Sequence, residues 1–173
     1  VDGDIVMKRF ILAITGASGA CYAKRLFDTL KDRSELHVVI SERGIELLKL
    51  ELGLKTSYFS GGNVTLYKNS KINTCIASGS FHTDGMVIVP ASMGTVGRIA
   101  SGVSTTMVER AADVILKEKR KLIIVPRETP FSTIHLKNLL TLDQAGAHIL
   151  PASPGFYSGQ KTFEDLVDFV VAR

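Results

Sequence analysis

The chain has 173 residues, of which 45% are hydrophobic and 22% charged, with a formal net charge of +4 and two cysteines. That length supports one buried core, and the composition excludes both an unfolded polar chain and a disulfide scaffold. No apolar run approaches the roughly 20 residues of a membrane helix, no secretory leader opens the chain, and a reduced, cytoplasmic compartment is expected.

In chain order, Val1–Val6 reads as an upstream leader or an expression remnant, outside the single domain expected over residues 7–173. Lys8–Thr15 has the apolar run of a buried strand. Gly19–Lys31 follows as a helix with Tyr22, Leu26, Phe27 and Leu30 on one stripe. Glu35–Ser41 is a second strand and Glu42–Leu52 a short helix. Residues 53–85 are polar and poorly periodic, with one short strand expected at Asn73–Ala77. Gly85–Pro90 is a buried strand, followed by a short helix near Thr95–Gly102 and a longer one from Thr105 to about Lys119. Lys121–Glu128 is a strand, Ser132–Ala145 a helix, Ala147–Pro151 a strand and Thr162–Arg173 a last helix. Apolar strands alternating with helices imply an α/β fold, a three-layer Rossmann-like (flavodoxin-like) parallel sheet with helices on both faces. In such sheets ligands bind beyond the carboxyl ends of the strands, so those loops carry the functional question.

The first of these loops, Gly16-Ala17-Ser18-Gly19, lacks both the G-x-G-x-x-G spacing of a dinucleotide turn and the G-K-[ST] of a Walker loop. It offers backbone N–H groups and the Ser18 hydroxyl at a helix start, suited to one anion or a polar ring edge; the plainer alternative is a turn with Ser18 as N-cap. Ser92 and Thr95, flanking Met93 and Gly94 after Pro90, repeat the arrangement, and Ser41 closes the second strand with another hydroxyl. Arg127 and Glu128 end the Lys121–Glu128 strand, and read either as a functional pair or as a structural ion pair. Arg110 and Lys117 share a helix face with Asp113 between them, where an ordinary Asp113–Lys117 pair is the plain reading. Tyr157 sits in the loop after the last strand.

Other chemistries find less support. The basic run "KEKRK" at Lys117–Lys121 reads as a solvated helix end, and no aromatic RNA-binding pattern accompanies it, so no nucleic-acid partner is expected. His37, His82, His135 and His148 lack metal-ligand spacing, and no metal is expected. Ser18 lacks the G-x-S-x-G elbow of a hydrolase, and Cys21 reads as core.

The stretches "TGASGA", "PASMGT", "ERAADVILKEKRKLIIVPRETPFSTIHLKNLLTL" and "GAHILPASPGFY" resemble the UbiX-type flavin prenyltransferases, formerly described as aromatic acid decarboxylases, over nearly the whole chain from Met7. The resemblance implies FMN as cofactor and a metal-independent transfer of a dimethylallyl group from dimethylallyl phosphate to N5 and C6 of reduced FMN. It further implies a homo-oligomer, with a dodecamer favoured and sites at subunit interfaces, whose product serves a UbiD-type decarboxylase. Carried over by motif, Gly16, Ala17, Ser18, Ser41, Ser92, Met93, Gly94, Thr95 and Arg127 bind the flavin, with Ser18 near its reactive edge. Tyr157, Arg173, Lys117 and Arg110 hold the prenyl phosphate; Glu128, Lys117, Ser18 and Tyr157 carry the chemistry; Glu51 matches a further polar position. Some members carry a Trp in the middle loop, for which Phe81 is the expected substitute, and the family continues past the position of Arg173. Two other readings are a cysteine-type decarboxylase of the same fold, whose Asn after "PAS" and first-helix His are missing here, and a non-catalytic flavin carrier.

Overall fold

The computed structural model describes residues 7–157 and 159–173; the expected leader, Val1–Val6, lies outside the described residues. β1 (Arg9–Ile14), β2 (Glu35–Ile40), β3 (Val64–Lys68), β4 (Gly85–Ala91), β5 (Leu122–Pro126) and β6 (His148–Ile149) form a parallel sheet in the order β3-β2-β1-β4-β5-β6. Helices α1 (Ala20–Leu30), α2 (Glu42–Leu52), α3 (Met93–Ala100), α4 (Met107–Lys117), α5 (Thr133–Gln144) and α6 (Phe163–Val171) make up the outer layers.

Side-chain alternation along the strands sorts the core into two. Ile11, Ala13, Val39, Met86, Ile88, Leu122 and Ile124 pack against α3, α4 and α5. Leu12, Ile14, Val38, Ile40, Val89 and Val125 face the other way, toward α1, α2 and α6. Both faces of β1 and β2 are therefore dry, which is why these strands read as unbroken apolar runs.

The edge differs from expectation. Residues Cys75–Ala77 form a single 3₁₀ turn rather than a strand, and the edge strand is β3, Val64–Lys68. Most of its side chains are exposed or half-buried, so it has no apolar run to announce it. α3 starts two residues earlier than expected, because Ser92 rather than a later residue is its cap. α4 stops at Lys117, and Lys119 turns left-handed at φ 52. The basic run after it is not wholly solvated: Arg120 donates to the carbonyls of Phe81 and Gly79 at 2.8 and 2.6 Å.

The chain adds strands on one side of β1 and then crosses to β4 on the other. The crevice between the carboxyl ends of β1 and β4 is thus the topological switch point, where this architecture places ligands.

Candidate active site

One buried side chain ties the two loops at that crevice. Thr15, the residue after β1, is 1% exposed. Its hydroxyl donates to the Pro90 carbonyl at 2.8 Å and accepts from the Ser92 amide at 2.8 Å. The loop bearing Gly16–Gly19 and the loop bearing Ser92–Thr95 are therefore held in fixed relation. Sequence reasoning missed Thr15, since its partners are 75 and 77 residues away.

In the first loop, Gly16 is required sterically: a Cβ there would lie 2.4 Å from the Arg43 Cβ at the start of α2. Ala17 is buried and Ser18 exposed. The cap of α1 is Gly19, at φ 120, with no side-chain cap bond of its own, so Ser18 is not the N-cap. Nor are the first amides of α1 open to an anion, as the loop's sequence suggests. Glu51, near the end of α2, accepts from Gly19 N–H at 3.0 Å and Ala20 N–H at 2.8 Å. Burial pushes the Glu51 carboxyl up, but hydrogen bonds from Gly19, the Ser18 hydroxyl and Ala20, with the nearby Arg127 charge, outweigh it and hold it below the usual carboxylate range. Across the crevice Arg127 Nε donates to the Ser18 carbonyl at 3.1 Å.

The second loop remains open. Ser92 Oγ caps α3 by accepting from Thr95 N–H at 3.3 Å, and the two hydroxyls lie 3.0 Å apart. The amides of Met93 and Gly94, first in α3, have no hydrogen-bond partner among the described residues. Behind them Arg98 Nη2 donates to Thr95 Oγ1 at 3.3 Å, and Arg98 Nε pairs with Glu109. Glu109 is fully buried (0% exposed) and also accepts from Thr105 N–H, Thr105 Oγ1 and Thr106 N–H at 2.8–2.9 Å. Burial raises this carboxyl, and those bonds more than reverse it, leaving it below the ordinary range. Neither Arg98 nor Glu109 was singled out from sequence; a Glu in the first turn of α4 signals a capping box, and its second partner on α3 has no local signature.

Ser41 caps α2, accepting from Gly44 N–H at 3.1 Å, while its amide donates to Ile14 O at 2.9 Å. Gly16, Ala17, Ser18, Ser41, Ser92, Met93, Gly94, Thr95 and Arg127 thus all lie on the loops and helix starts at this one end of the sheet. Arg127 and Glu128 do not pair with each other: Glu128 Oε1 accepts from Thr129 N–H at 3.0 Å, and Oε2 has no partner among the described residues. The structural ion pair considered for them is therefore absent.

Tyr157 and Arg173 meet: Arg173 Nη2 lies 3.4 Å from the Tyr157 hydroxyl, and both pack on the Phe169 ring. Tyr157 is 78% exposed. Lys117 stands apart. Arg110 pairs with Asp113 at 2.9 Å, in place of the expected Asp113–Lys117 pair. Lys117 pairs with Glu118 at 2.9 Å and packs beside Gly79, at the amino end of the sheet away from Ser18. Phe81 lies at that end too, 4.5 Å beneath the Arg9 guanidinium and edge-on to His37, so within its own chain it forms no wall of the crevice. Cys21 is half-buried, lining a surface depression of about 400 Å³ between α1 and α6 rather than the core.

A sequence profile of the Flavoprotein family matches residues 2–173. The chain is 46% identical to the flavin prenyltransferase UbiX of Halalkalibacterium halodurans, over 95% of this chain and 85% of the relative. A dodecameric FMN-dependent UbiX-like decarboxylase from Escherichia coli O157:H7 superposes with a TM-score of 0.90 at 38% identity, over 95% of this chain and 90% of that one. AnUbiX (PadA1), solved with FMN and dimethylallyl pyrophosphate, gives 0.91 at 37% identity, over 95% and 88%. The chain belongs to the Flavoprotein family and, within it, to the flavin prenyltransferases of UbiX type.

Proposed function

We infer that this protein transfers the dimethylallyl group of dimethylallyl phosphate to N5 and C6 of reduced FMN, making a prenylated flavin for a UbiD-type decarboxylase. The single observation that carries the reading is the rim at the β1–β4 switch point, where donors are preorganised and left without protein partners. The Ser18, Met93 and Gly94 amides have no hydrogen-bond partner among the described residues. Together with the Ser92 hydroxyl and the Arg127 guanidinium, they form a donor set matched to a ring edge rich in carbonyl and imine acceptors. Gly94 adds to the fit, since beyond its own helix backbone a Cβ there would meet, among the described residues, just Arg98 Nη1, at 3.4 Å. FMN fits these residues; a dinucleotide does not, because the amides of α1 that would cradle its pyrophosphate are bound to Glu51.

Bound reduced FMN supplies the nucleophilic ring atoms. The chain's residues supply position and charge. Arg127 uses Nε to hold the Ser18 loop and keeps its other N–H groups for the flavin. Tyr157 and Arg173 receive the phosphate, and the Phe169 ring behind them limits their freedom. Phosphate leaves as a dianion, so cations and a proton carrier are needed where that charge develops. Glu128, with Oε2 uncommitted, is the proton carrier. Lys117 serves the site of a neighbouring copy, since in its own chain it stands at the amino end of the sheet, and Arg110 on the same helix joins it. This arrangement requires a homo-oligomer, with twelve chains favoured by the dodecameric relative. No helix among the described residues is long and apolar enough to cross a membrane, in keeping with a cytoplasmic enzyme. The deciding experiment is anaerobic incubation with reduced FMN and dimethylallyl phosphate followed by mass spectrometry of the released flavin. Gain of one five-carbon unit is expected; unmodified flavin would refute the assignment.

A further inference from the structure

The Arg98–Glu109 pair has no place in the reaction above, yet it ends on a hydroxyl of the flavin loop. Glu109 is fully buried, and its four hydrogen-bond donors include Arg98 Nε. That grip lets Arg98 extend Nη2 to Thr95 Oγ1, 3.3 Å away. Thr95 is only 4% exposed, and its hydroxyl sits 3.0 Å from Ser92 Oγ.

Proton accounting then fixes the direction of each bond. A guanidinium only donates, so Thr95 Oγ1 accepts from Arg98. Thr95's own proton is buried and needs an acceptor, and among the described residues Ser92 Oγ is the one within reach. Ser92 Oγ therefore accepts twice, from the Thr95 hydroxyl and from the Thr95 amide at 3.3 Å. Both its lone pairs are used, and its single proton points out of the network. Without Arg98, the buried Thr95 oxygen would lack a donor, and the Ser92 proton would turn inward to supply one.

We propose that Arg98, anchored by Glu109, is a positioning residue that polarises the Thr95–Ser92 hydroxyl pair so that Ser92 presents a hydrogen-bond donor to the flavin. The inference rests on the flavin-binding reading of this loop. In this arrangement Arg98 and Glu109 act through the Ser92 hydroxyl.

Arg98→Met alone would leave the Glu109 charge buried without its guanidinium and threaten folding. The test variant is therefore Arg98→Met with Glu109→Gln, in which the Gln carbonyl keeps the Thr105 and Thr106 bonds and no charge is stranded. The readouts are the dissociation constant of oxidised FMN, the absorption spectrum of the bound flavin and the melting temperature, in wild-type and Ser92→Ala backgrounds. The paired variant should weaken FMN binding roughly tenfold, the worth of one reoriented hydrogen bond. The flavin bands should shift and melting should stay within a few degrees. In the Ser92→Ala background the same pair should change affinity less than twofold. Equal losses in the two backgrounds, or no loss in either, would overturn the inference. Thr95→Val, which cuts the relay and leaves the ion pair intact, should reproduce the loss; a Thr95→Val protein binding FMN normally would refute it independently. Wild-type protein that fails to bind FMN at all would bring down the flavin reading and this inference together, an outcome distinct from binding that is merely indifferent to Arg98.

Discussion

Two polar clusters, one at each end of the sheet, use the same residue types to opposite effect. At the amino end Arg9 pairs with Glu35 at 2.8 Å, and Glu35 meets His37 Nε2 at 2.9 Å. His37 Nδ1 meets the Tyr67 hydroxyl at 2.7 Å, and Tyr67 lies 3.1 Å from Cys75 Sγ. Apart from the buried Arg9 Nε, which has no partner among the described residues, each of these groups is bonded to another within the chain. At the carboxyl rim, among the described residues, the amides of Ser18, Met93 and Gly94 have no partner, and Arg127 spends one N–H on the protein. A closed network stabilises and specifies the fold; an open one, held just as firmly from behind, is what a ligand needs. The presence of charged and hydroxylic residues does not distinguish the two. Their unspent hydrogen-bonding capacity does.

The comparison can be broken at four points. The largest effect is expected from Glu128→Gln, which keeps shape and removes a proton carrier. Single-turnover prenyl transfer should slow by about 10²–10⁴ with FMN still bound and melting nearly unchanged; a normal rate would remove Glu128 from the chemistry. Arg127→Ala should weaken FMN binding by about 10–150-fold, the worth of a charge-assisted bond of about 1.5–3 kcal/mol, as measured by fluorescence titration. Unaltered affinity would make Arg127 a loop brace only.

At the closed end the expectations invert. Tyr67→Phe removes the hydroxyl between His37 and Cys75, and should cost about 1–3 kcal/mol in denaturant unfolding while FMN affinity stays as it was. Loss of flavin binding would show that the two ends are not independent. The subtlest test is pH. Burial depresses His37, against the opposing pull of Glu35, so the folded protein takes up its proton less readily than the unfolded chain. The stability this provides is complete above the unfolded value near 6.5 and is lost as pH falls toward the folded value. His37→Gln should therefore flatten the melting-temperature profile just below pH 6.5; a profile identical to wild type would mean that His37 titrates alike in both states.

Elements buried on both sides were legible in sequence, because a dry strand must be apolar throughout: β1, β2, β4 and β5 fall where the apolar runs lie. β3 escaped because it is an edge strand with exposed side chains on both faces, so Val64–Lys68 carries Thr and Lys where a core strand would carry Val and Ile. Within the site, the hydroxyl-bearing loops were legible since Ser41 and Ser92 cap the helices that follow them. Thr15, Arg98 and Glu109 were not, because their partners are set by tertiary contact. The spacing of Arg110 and Lys117 gave their common helix face correctly but could not say where that face points.

α2 also acts as a ruler. Its first turn is pinned by Ser41 to the end of β2, and Glu51, ten residues later, closes the start of α1. Each residue added to or removed from that helix would swing Glu51 by about 100° and shift it by about 1.5 Å. A single insertion would then carry the carboxylate off the Gly19 and Ala20 amides and leave the first loop an open anion trap. The ten-residue span from Ser41 to Glu51 is therefore constrained for a reason separate from the packing of α2.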